Sequence, residues 1–314
     1  MPRLAARILA PLVVLLACQS GVSPAAVPAA PAAPVPTAQA AELERLERRS
    51  AGILGVTAVL LPSGRRLSWR GDATFPMMST FKLPVALAVV RGMERGALQL
   101  ADTIHLRPED LRPGMGGDIA TRWPAGGDLT VRELAEAMVE QSDNTACDAL
   151  LRRVGGPAQV TAMLRELGVT AMRVDRSELE LGRDIDAEGA AFSGDPRDQS
   201  SPDAMATLLI RIAEGKAAGP EATQELLRWL RATTTGPGRL LAGLPPGTRL
   251  LHKTGTYGGA ARANATNDVG IVPLRDGSQL VIAAFLRDAS TTLATRERVL
   301  AEVASIAYGA LAPR

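Results

Sequence analysis

Residues 248–287, TRLLHKTGTYGGAARANATNDVGIVPLRDGSQLVIAAFLR, are where the chain changes character. Behind Gly247 the pattern turns from helical to extended, with strand-like runs at 248–256, 266–274 (TNDVGIVPL) and 279–287 (QLVIAAFLR). Near the other end, 53–61 (ILGVTAVLL) is a mostly apolar run with β-branched residues, which reads as a buried strand. Pro62-Ser63-Gly64 turns the chain back through a second strand at 66–70, giving a hairpin. Outside these strands lie two amphipathic helices, 42–50 (ELERLERRS) and 293–310 (LATRERVLAEVASIAYGA). Between them, 100–235 offers helices and loops and little strand signal. Helices are expected at 79–95, 130–140, 144–154, 156–167, 202–215 and 220–231. The one at 130–140 opens with a Thr130/Glu133 capping box. Pro84 is tolerated because the first helical turn needs no intrahelical N–H bond. Residues 175–201 are polar and rich in Asp, Gly, Ser and Arg, a long loop of the kind that is usually functional. Strands at both ends with helices between predict an α+β fold: an antiparallel sheet flanked by the N- and C-terminal helices, plus an all-helical domain. The expected division is 42–78 with 236–314 for the sheet domain and 79–235 for the helical one.

The first 17 residues belong to neither part. Arg3 and Arg7 precede an unbroken apolar run from Ile8 to Ala17. Ten such residues rise about 15 Å as a helix, half of a bilayer core, so the segment reads as a signal peptide and not a spanning helix. It ends Leu15-Leu16-Ala17-Cys18, which resembles a bacterial lipoprotein cleavage site with Cys18 as the lipidated first residue. An ordinary secretory leader cut near Ala25 or Ala30 is the alternative. Gln19 in place of an aspartate favours the outer membrane in such signals. Residues 18–41 carry Pro24, Pro28, Pro31, Pro34 and Pro36 among alanines. That composition is semi-rigid and coreless, a tether reaching at most about 70 Å. The whole chain has 314 residues, 46% hydrophobic, with 35 basic against 33 acidic side chains. Removing Arg3 and Arg7 with the leader makes the two signs equal. A neutral body argues against nucleic-acid binding, which needs a basic surface. With Cys18 acylated, Cys147 has no intrachain partner, so no disulfide framework is expected.

Three short motifs carry chemistry. Ser79-Thr80-Phe81-Lys82 places a hydroxyl and an amine at i and i+3, on one helical face. A serine hydroxyl needs a neighbouring base to become a nucleophile, and a helix start adds N–H groups for a developing anion. Ser142-Asp143-Asn144 follows 63 residues on, at a break between helices. Its serine can relay a proton, and the Asn144 amide can hold a substrate amide as donor and acceptor. Lys253-Thr254-Gly255 lies in a strand, where the lysine offers a point charge for a carboxylate and Gly255 lets a ligand lie against the strand. An edge strand also presents N–H groups, so Thr256 can complete an oxyanion site. Each motif alone is commonplace: a cap serine, a solvated lysine, a helix break.

Their order and spacing together resemble the class A serine β-lactamases, over residues 42–312. The resemblance extends to Arg176-Ser177-Glu178-Leu179-Glu180-Leu181, similar to the Arg-x-Glu-x-x-Leu of that family's omega loop. It implies that Ser79 attacks a lactam carbonyl, with the N–H groups of Ser79 and Thr256 holding the oxyanion. Lys82, or Glu178 through a water, takes the serine proton. Ser142 passes a proton toward the leaving nitrogen, and Asn144 positions the side-chain amide. Lys253, Thr254 and Arg239 bind the substrate carboxylate, and Glu178 activates the deacylating water. Asp195 matches the aspartate that pairs with the loop arginine, here Arg176. Expected beside this are a β-lactam substrate, no cofactor, no metal, a monomeric body, and a lipid anchor at Cys18 that holds the enzyme in the periplasm.

Three departures from the family pattern stand out. Gly182 occupies the position where an asparagine helps hold the deacylating water, so a side-chain ligand is lost and space opens. The segment 183–193 is longer than usual. Asp148 stands where many members have asparagine; an aspartate accepts but does not donate, which puts the loop's backbone conformation in question. The Asp148 form, with His252-Lys253-Thr254-Gly255-Thr256, is similar to an extended-spectrum subgroup. The two histidines, His105 and His252, are too few for a His-rich zinc site. His252 adjoins Lys253 on a strand and is expected to point the opposite way. Two rivals remain at this stage: a DD-peptidase of peptidoglycan, which Glu178 speaks against, and a non-catalytic lipoprotein that binds wall fragments.

Overall fold

The computed structural model describes residues 37–113, 116–188, 194–258 and 264–313. The expected leader, Cys18 and the proline-rich residues up to Pro36 lie outside them, as do 189–193 of the long omega-loop segment. Helix α1 (Thr37–Ser50) leads into strands β1 (Ile53–Leu61) and β2 (Arg65–Trp69). A short strand β3 (Phe75–Pro76) precedes a 3-10 turn, Met78–Phe81, that runs straight into α2 (Lys82–Glu94). Next come β4 (Thr103–Leu106), α3 (Ile119–Arg122), β5 (Gly127–Thr130), α4 (Val131–Glu140), α5 (Asn144–Arg153) and α6 (Pro157–Glu166). Then follow α7 (Glu178–Glu188), β6 (Gln199–Ser200), α8 (Pro202–Ala213) and α9 (Pro220–Arg231). Strands β7 (Leu251–Tyr257), β8 (Asn264–Pro273) and β9 (Gln279–Ala289) and helix α10 (Leu293–Leu311) complete the chain.

Among the described residues five strands form the main sheet, in the order β2-β1-β9-β8-β7, every neighbouring pair antiparallel. The first and last parts of the chain meet along β1 and β9, from Ile53 opposite Arg287 to Leu61 opposite Gln279. The composition of β9 follows from its place. Leu280, Ile282, Ala284 and Leu286 pack with Leu43 and Leu46 of α1 and Val299, Leu300 and Val303 of α10. Val281, Ala283 and Phe285 pack on the other side with the helical core, including Met205 and Leu208 of α8. Successive side chains point to opposite faces, so a strand covered on both faces must be apolar throughout. The fold is α+β with an antiparallel sheet.

Four local readings differ from expectation. Residues 37–41, expected within the tether, are helical: α1 begins at Thr37, directly behind Pro36, where the prolines stop and Leu43 and Leu46 have a core to enter. The Ser79 helix begins as a 3-10 turn and becomes α-helical only at Lys82, a frequent way to open a helix. A small hairpin, β4 with β5, lies inside the stretch read as strandless, pairing Thr103 to Thr130 and Leu106 to Gly127. The polar segment 175–201 contains the helix α7. A capping box starts it: Ser177 Oγ accepts from Glu180 N at 3.2 Å, and Glu180 Oε2 accepts from Ser177 N at 2.8 Å. The Ser-x-x-Glu signal was there to be read, hidden by the polarity around it. The same device at Thr130 and Glu133 is formed as expected.

Candidate active site

Ser79 sits in the turn before α2, and Lys82 is the first α-helical residue behind it. The Lys82 ammonium is fully buried. It donates to Ser79 Oγ at 2.9 Å and to Asn144 Oδ1 at 2.9 Å, and it is ion-paired with Glu178 Oε1. A cation at a helix N-terminus is disfavoured by the dipole, so the Glu178 carboxylate is what makes its burial tolerable. Two side-chain-bearing residues here adopt left-handed backbone, Met78 at φ 47° and Ser142 at φ 64°. Such conformations cost of order 1–3 kcal/mol and persist where surrounding contacts fix them. Asn267 of β8 supplies one such contact: its Nδ2 donates to Pro76 O at 2.9 Å and to Met77 O at 3.0 Å. Gly255 supplies another by its bareness. A Cβ there would lie 2.6 Å from Met77 O, so only glycine lets β7 approach the Ser79 turn this closely. That approach brings the edge strand carrying Thr256 beside Ser79. An edge strand leaves alternate N–H groups without a partner strand.

The opposite side is built from Ser142, Lys253 and Thr254. Lys253 is fully buried and donates to Ser142 Oγ at 2.9 Å and Thr254 O at 3.0 Å. Burial, with the positive charge of Lys82 beside it, holds its ammonium well below the usual lysine range. Thr235, which sequence reading passed over, shares a hydrogen bond with Thr254 Oγ1 at 2.5 Å. Arg239 lines the same cavity, but its guanidinium is already engaged. Nη1 donates to Gly255 O at 3.1 Å and Asn267 O at 3.0 Å, Nη2 to Thr256 Oγ1 at 2.6 Å, and Nε pairs with Glu297 at 3.2 Å. Its first job is to tie the β7 edge to β8 and α10.

Glu178 opens α7, with its side chain 8% exposed. Behind it Arg176, 4% exposed, bridges Asp184 at 2.8 Å, Asp195 at 2.8 Å and Asp198 at 2.6 Å. Burial pushes the Asp195 carboxyl up, but hydrogen bonds from Arg197 and the charges of Arg176 and Arg197 outweigh it and bring it down to about 2. The two ends of the loop are therefore clamped by charge. Asp148, the departure that put the loop in question, accepts from the Glu178 N–H at 2.6 Å and the Leu179 N–H at 3.2 Å. An acceptor-only side chain suffices because both partners are donors. A Cβ on Gly182 would meet nothing within 4 Å, so the space opened there is real. Ser79, Ser142, Asn144, Glu178, Thr254 and Thr256 all face one cavity of about 730 Å³.

A family model described as the beta-lactamase enzyme family matches residues 38–311. The chain belongs to that family. It is 39% identical to Beta-lactamase L2 of Stenotrophomonas maltophilia over 257 residues, 82% of this chain and 80% of that protein. It is 31% identical to Beta-lactamase VEB-1 of Pseudomonas aeruginosa over 245 residues, 77% of this chain and 80% of that one. Among solved structures, a β-lactamase from Chitinophaga pinensis has a TM-score of 0.81 at 34% identity, covering 87% of this chain and 99% of that one. The ancestral class A β-lactamase of Gram-negative bacteria superposes with a TM-score of 0.78 at 39% identity, covering 87% and 100%. The protein is a class A β-lactamase, a β-lactam hydrolase.

Other titratable groups of this β-lactamase stand apart from the cavity. His252 points away from it, as its place beside Lys253 on a strand requires, and shares a 2.8 Å hydrogen bond with buried Asp268. His105 pairs with Asp128 at the surface. Cys147 is buried on α5, and burial pushes its thiol well above the usual range, which keeps it an inert core side chain. Among the described residues no group of three or more His, Cys, Asp or Glu is placed to hold a metal ion, and no helix is long and apolar enough to cross a membrane.

Proposed function

We propose that the enzyme opens penicillins and cephalosporins through an acyl-serine at Ser79. The observation that carries this reading is the position of Lys82, which touches the Ser79 hydroxyl and the Glu178 carboxylate at once. A proton leaving Ser79 has a continuous path: Lys82 gives one proton to Glu178 and takes the hydroxyl proton in its place. Ser79 Oγ then bonds to the lactam carbonyl carbon. The oxyanion rests on the N–H groups of Ser79 and Thr256, each worth about 3–4 kcal/mol in the transition state. When the C–N bond breaks, the nitrogen takes a proton through Ser142, which Lys253 contacts. Lys253 and Thr254 hold the substrate carboxylate, with Arg239 behind Thr256, and Asn144 holds the side-chain amide. Once the nitrogen has drawn its proton from Lys82 by way of Ser142, Glu178 returns its own proton to Lys82; the freed carboxylate then removes a proton from water as it attacks the ester, and Ser79 Oγ takes that proton up as it leaves. The Arg176–Asp195 clamp keeps the Glu178 loop in place for that step.

The test is hydrolysis of a chromogenic cephalosporin by the purified protein, with mass spectrometry of the Ser79 peptide during turnover. Continuous turnover with a transient acyl adduct is expected. A stable adduct without turnover would instead mark a penicillin-binding peptidase, and binding without an adduct a non-catalytic wall-fragment receptor.

The lowered Lys253 ammonium gives a pH prediction. A lysine below its ordinary value of 10.5 loses its charge earlier as pH rises. KM for a penicillin is therefore expected to climb at a pH below 10.5, while KM for the corresponding methyl ester, which has no carboxylate to bind, stays flat. Parallel curves for acid and ester would remove Lys253 from carboxylate recognition.

We also place the enzyme in the periplasm, held to the outer membrane by acylated Cys18. The apolar run before Cys18 and the proline-rich tether after it support this. Cys18→Ala is expected to move activity from the membrane fraction to the soluble periplasmic fraction; no redistribution would favour a leader cut further along.

A further inference from the structure

The buried carboxylate of Asp148 has a cationic partner on a different segment. Asp148 is 1% exposed. Its Oδ2 accepts from Arg112 Nε at 2.8 Å as well as from the Leu179 N–H, while its Oδ1 accepts from the Glu178 N–H. Arg112 is itself held by other contacts. Its N–H donates to Thr145 Oγ1 at 2.8 Å, and its Nη1 donates to Glu109 O at 2.8 Å and Leu111 O at 3.0 Å. Asn144 and Asp148 lie four residues apart on α5, which puts them on one face of that helix. One of them grips the Lys82 ammonium and the other grips the backbone of Glu178. So α5 sets the register of both halves of the Lys82–Glu178 pair, and Arg112 supplies the positive charge that lets the Asp148 half be anionic. A buried carboxylate stripped of its counter-charge either takes a proton or draws in water. Either change disturbs the double grip on the start of α7, which uses both oxygens as acceptors.

We propose that Arg112 is a positioning residue for deacylation: acting through Asp148, it fixes the angle at which Glu178 faces the acyl ester. This rests on the reading of Glu178 as the base for the hydrolytic water. Ångström-scale displacement of a reacting group can cost about 100-fold in rate. The rates of the two chemical steps carry the test. With a chromogenic cephalosporin under pre-steady-state conditions, Arg112→Ala is expected to keep an acylation burst and lose roughly 10- to 100-fold in deacylation. Asp148→Asn is expected to show the same split, because its amide nitrogen must confront either the Glu178 N–H or both the Leu179 N–H and the Arg112 Nε–H. In the double variant, Arg112→Gln with Asp148→Asn, the neutral pair can hydrogen-bond again, so its loss is expected to be smaller than the product of the single losses.

Equal losses in both steps, no loss in deacylation, or strictly multiplicative single effects would overturn the proposal. A loss confined to acylation would also overturn it, and would make Arg112 a substrate contact at the cavity wall. If Arg112→Ala does not fold, Arg112→Gln decides, being neutral but of similar length: a deacylation-selective loss supports the positioning role, and an unchanged kcat refutes it. Glu178→Gln run alongside separates the two readings. If that variant still deacylates at the parental rate, the role given to Glu178 fails, whatever Arg112 does.

Discussion

Glu178→Gln is expected to acylate and then stop. The glutamine fills the same volume, and Lys82 keeps Ser79 Oγ and Asn144 Oδ1 as acceptors, so the pocket should stay closed. What vanishes is the carboxylate that takes a proton from the hydrolytic water. General-base catalysis of this kind contributes about 10²- to 10⁴-fold. Acylation keeps a slower route, because Lys82 beside the hydroxyl can lose its proton to solvent and then take that of Ser79; deacylation has no other base. The expected trace with a chromogenic cephalosporin is therefore a burst of about one equivalent per enzyme followed by a rate at least about 100-fold below the parent. Mass spectrometry should find the intact acyl group on the Ser79 peptide. Steady turnover without a burst would mean that the water is activated elsewhere, and the long loop would lose its function.

That loop also shows where sequence reading reached and where it stopped. The strands at 266–274 and 279–287 were visible because their apolar runs are decided locally by burial on two faces of a sheet. The capping box at Thr130 and Glu133 was visible for the same reason, being four residues long. Its twin at Ser177 and Glu180 was masked by a composition that reads as loop, and with it the helix that carries Glu178. The family motifs named Ser79, Lys82, Ser142, Glu178 and Lys253, but not what holds them. Asn267 supports the Ser79 turn from β8, 190 residues from Met77. Arg112 reaches Asp148 across 36 residues. Neither residue belongs to a spaced pattern. Both matter only because the sheet edge and α5 come to rest against the site, and that placement is a product of packing. The polar Thr266-Asn267-Asp268 at the head of the run TNDVGIVPL was an available hint, since a buried amide must find partners. The left-handed backbone of Met78 and Ser142 left no mark in the sequence.

Lys82→Ala is expected to do damage of a different kind, to acylation and to stability together. The substitution removes the donor to Ser79 Oγ and the link through which its proton leaves, so no burst should be seen. The second-order rate of acylation should fall by about 10²- to 10⁴-fold, the range for losing a positioned acid–base group. Stability falls because Glu178 is left without its cation in a nearly buried site. Breaking a buried pair from one side costs about 3–5 kcal/mol. Glu178→Gln breaks the same pair from the other side, but there the stranded ammonium still has two oxygen acceptors at 2.9 Å. Lys82→Ala should therefore melt below Glu178→Gln, whereas at an exposed pair removing either partner would cost only about 0–1 kcal/mol. Lys82→Arg separates the two losses: it keeps a cation for Glu178, so it should recover much of the melting temperature while acylation stays slow. Acylation of Lys82→Ala at the parental rate would show that Glu178 alone, through water, draws the proton from Ser79.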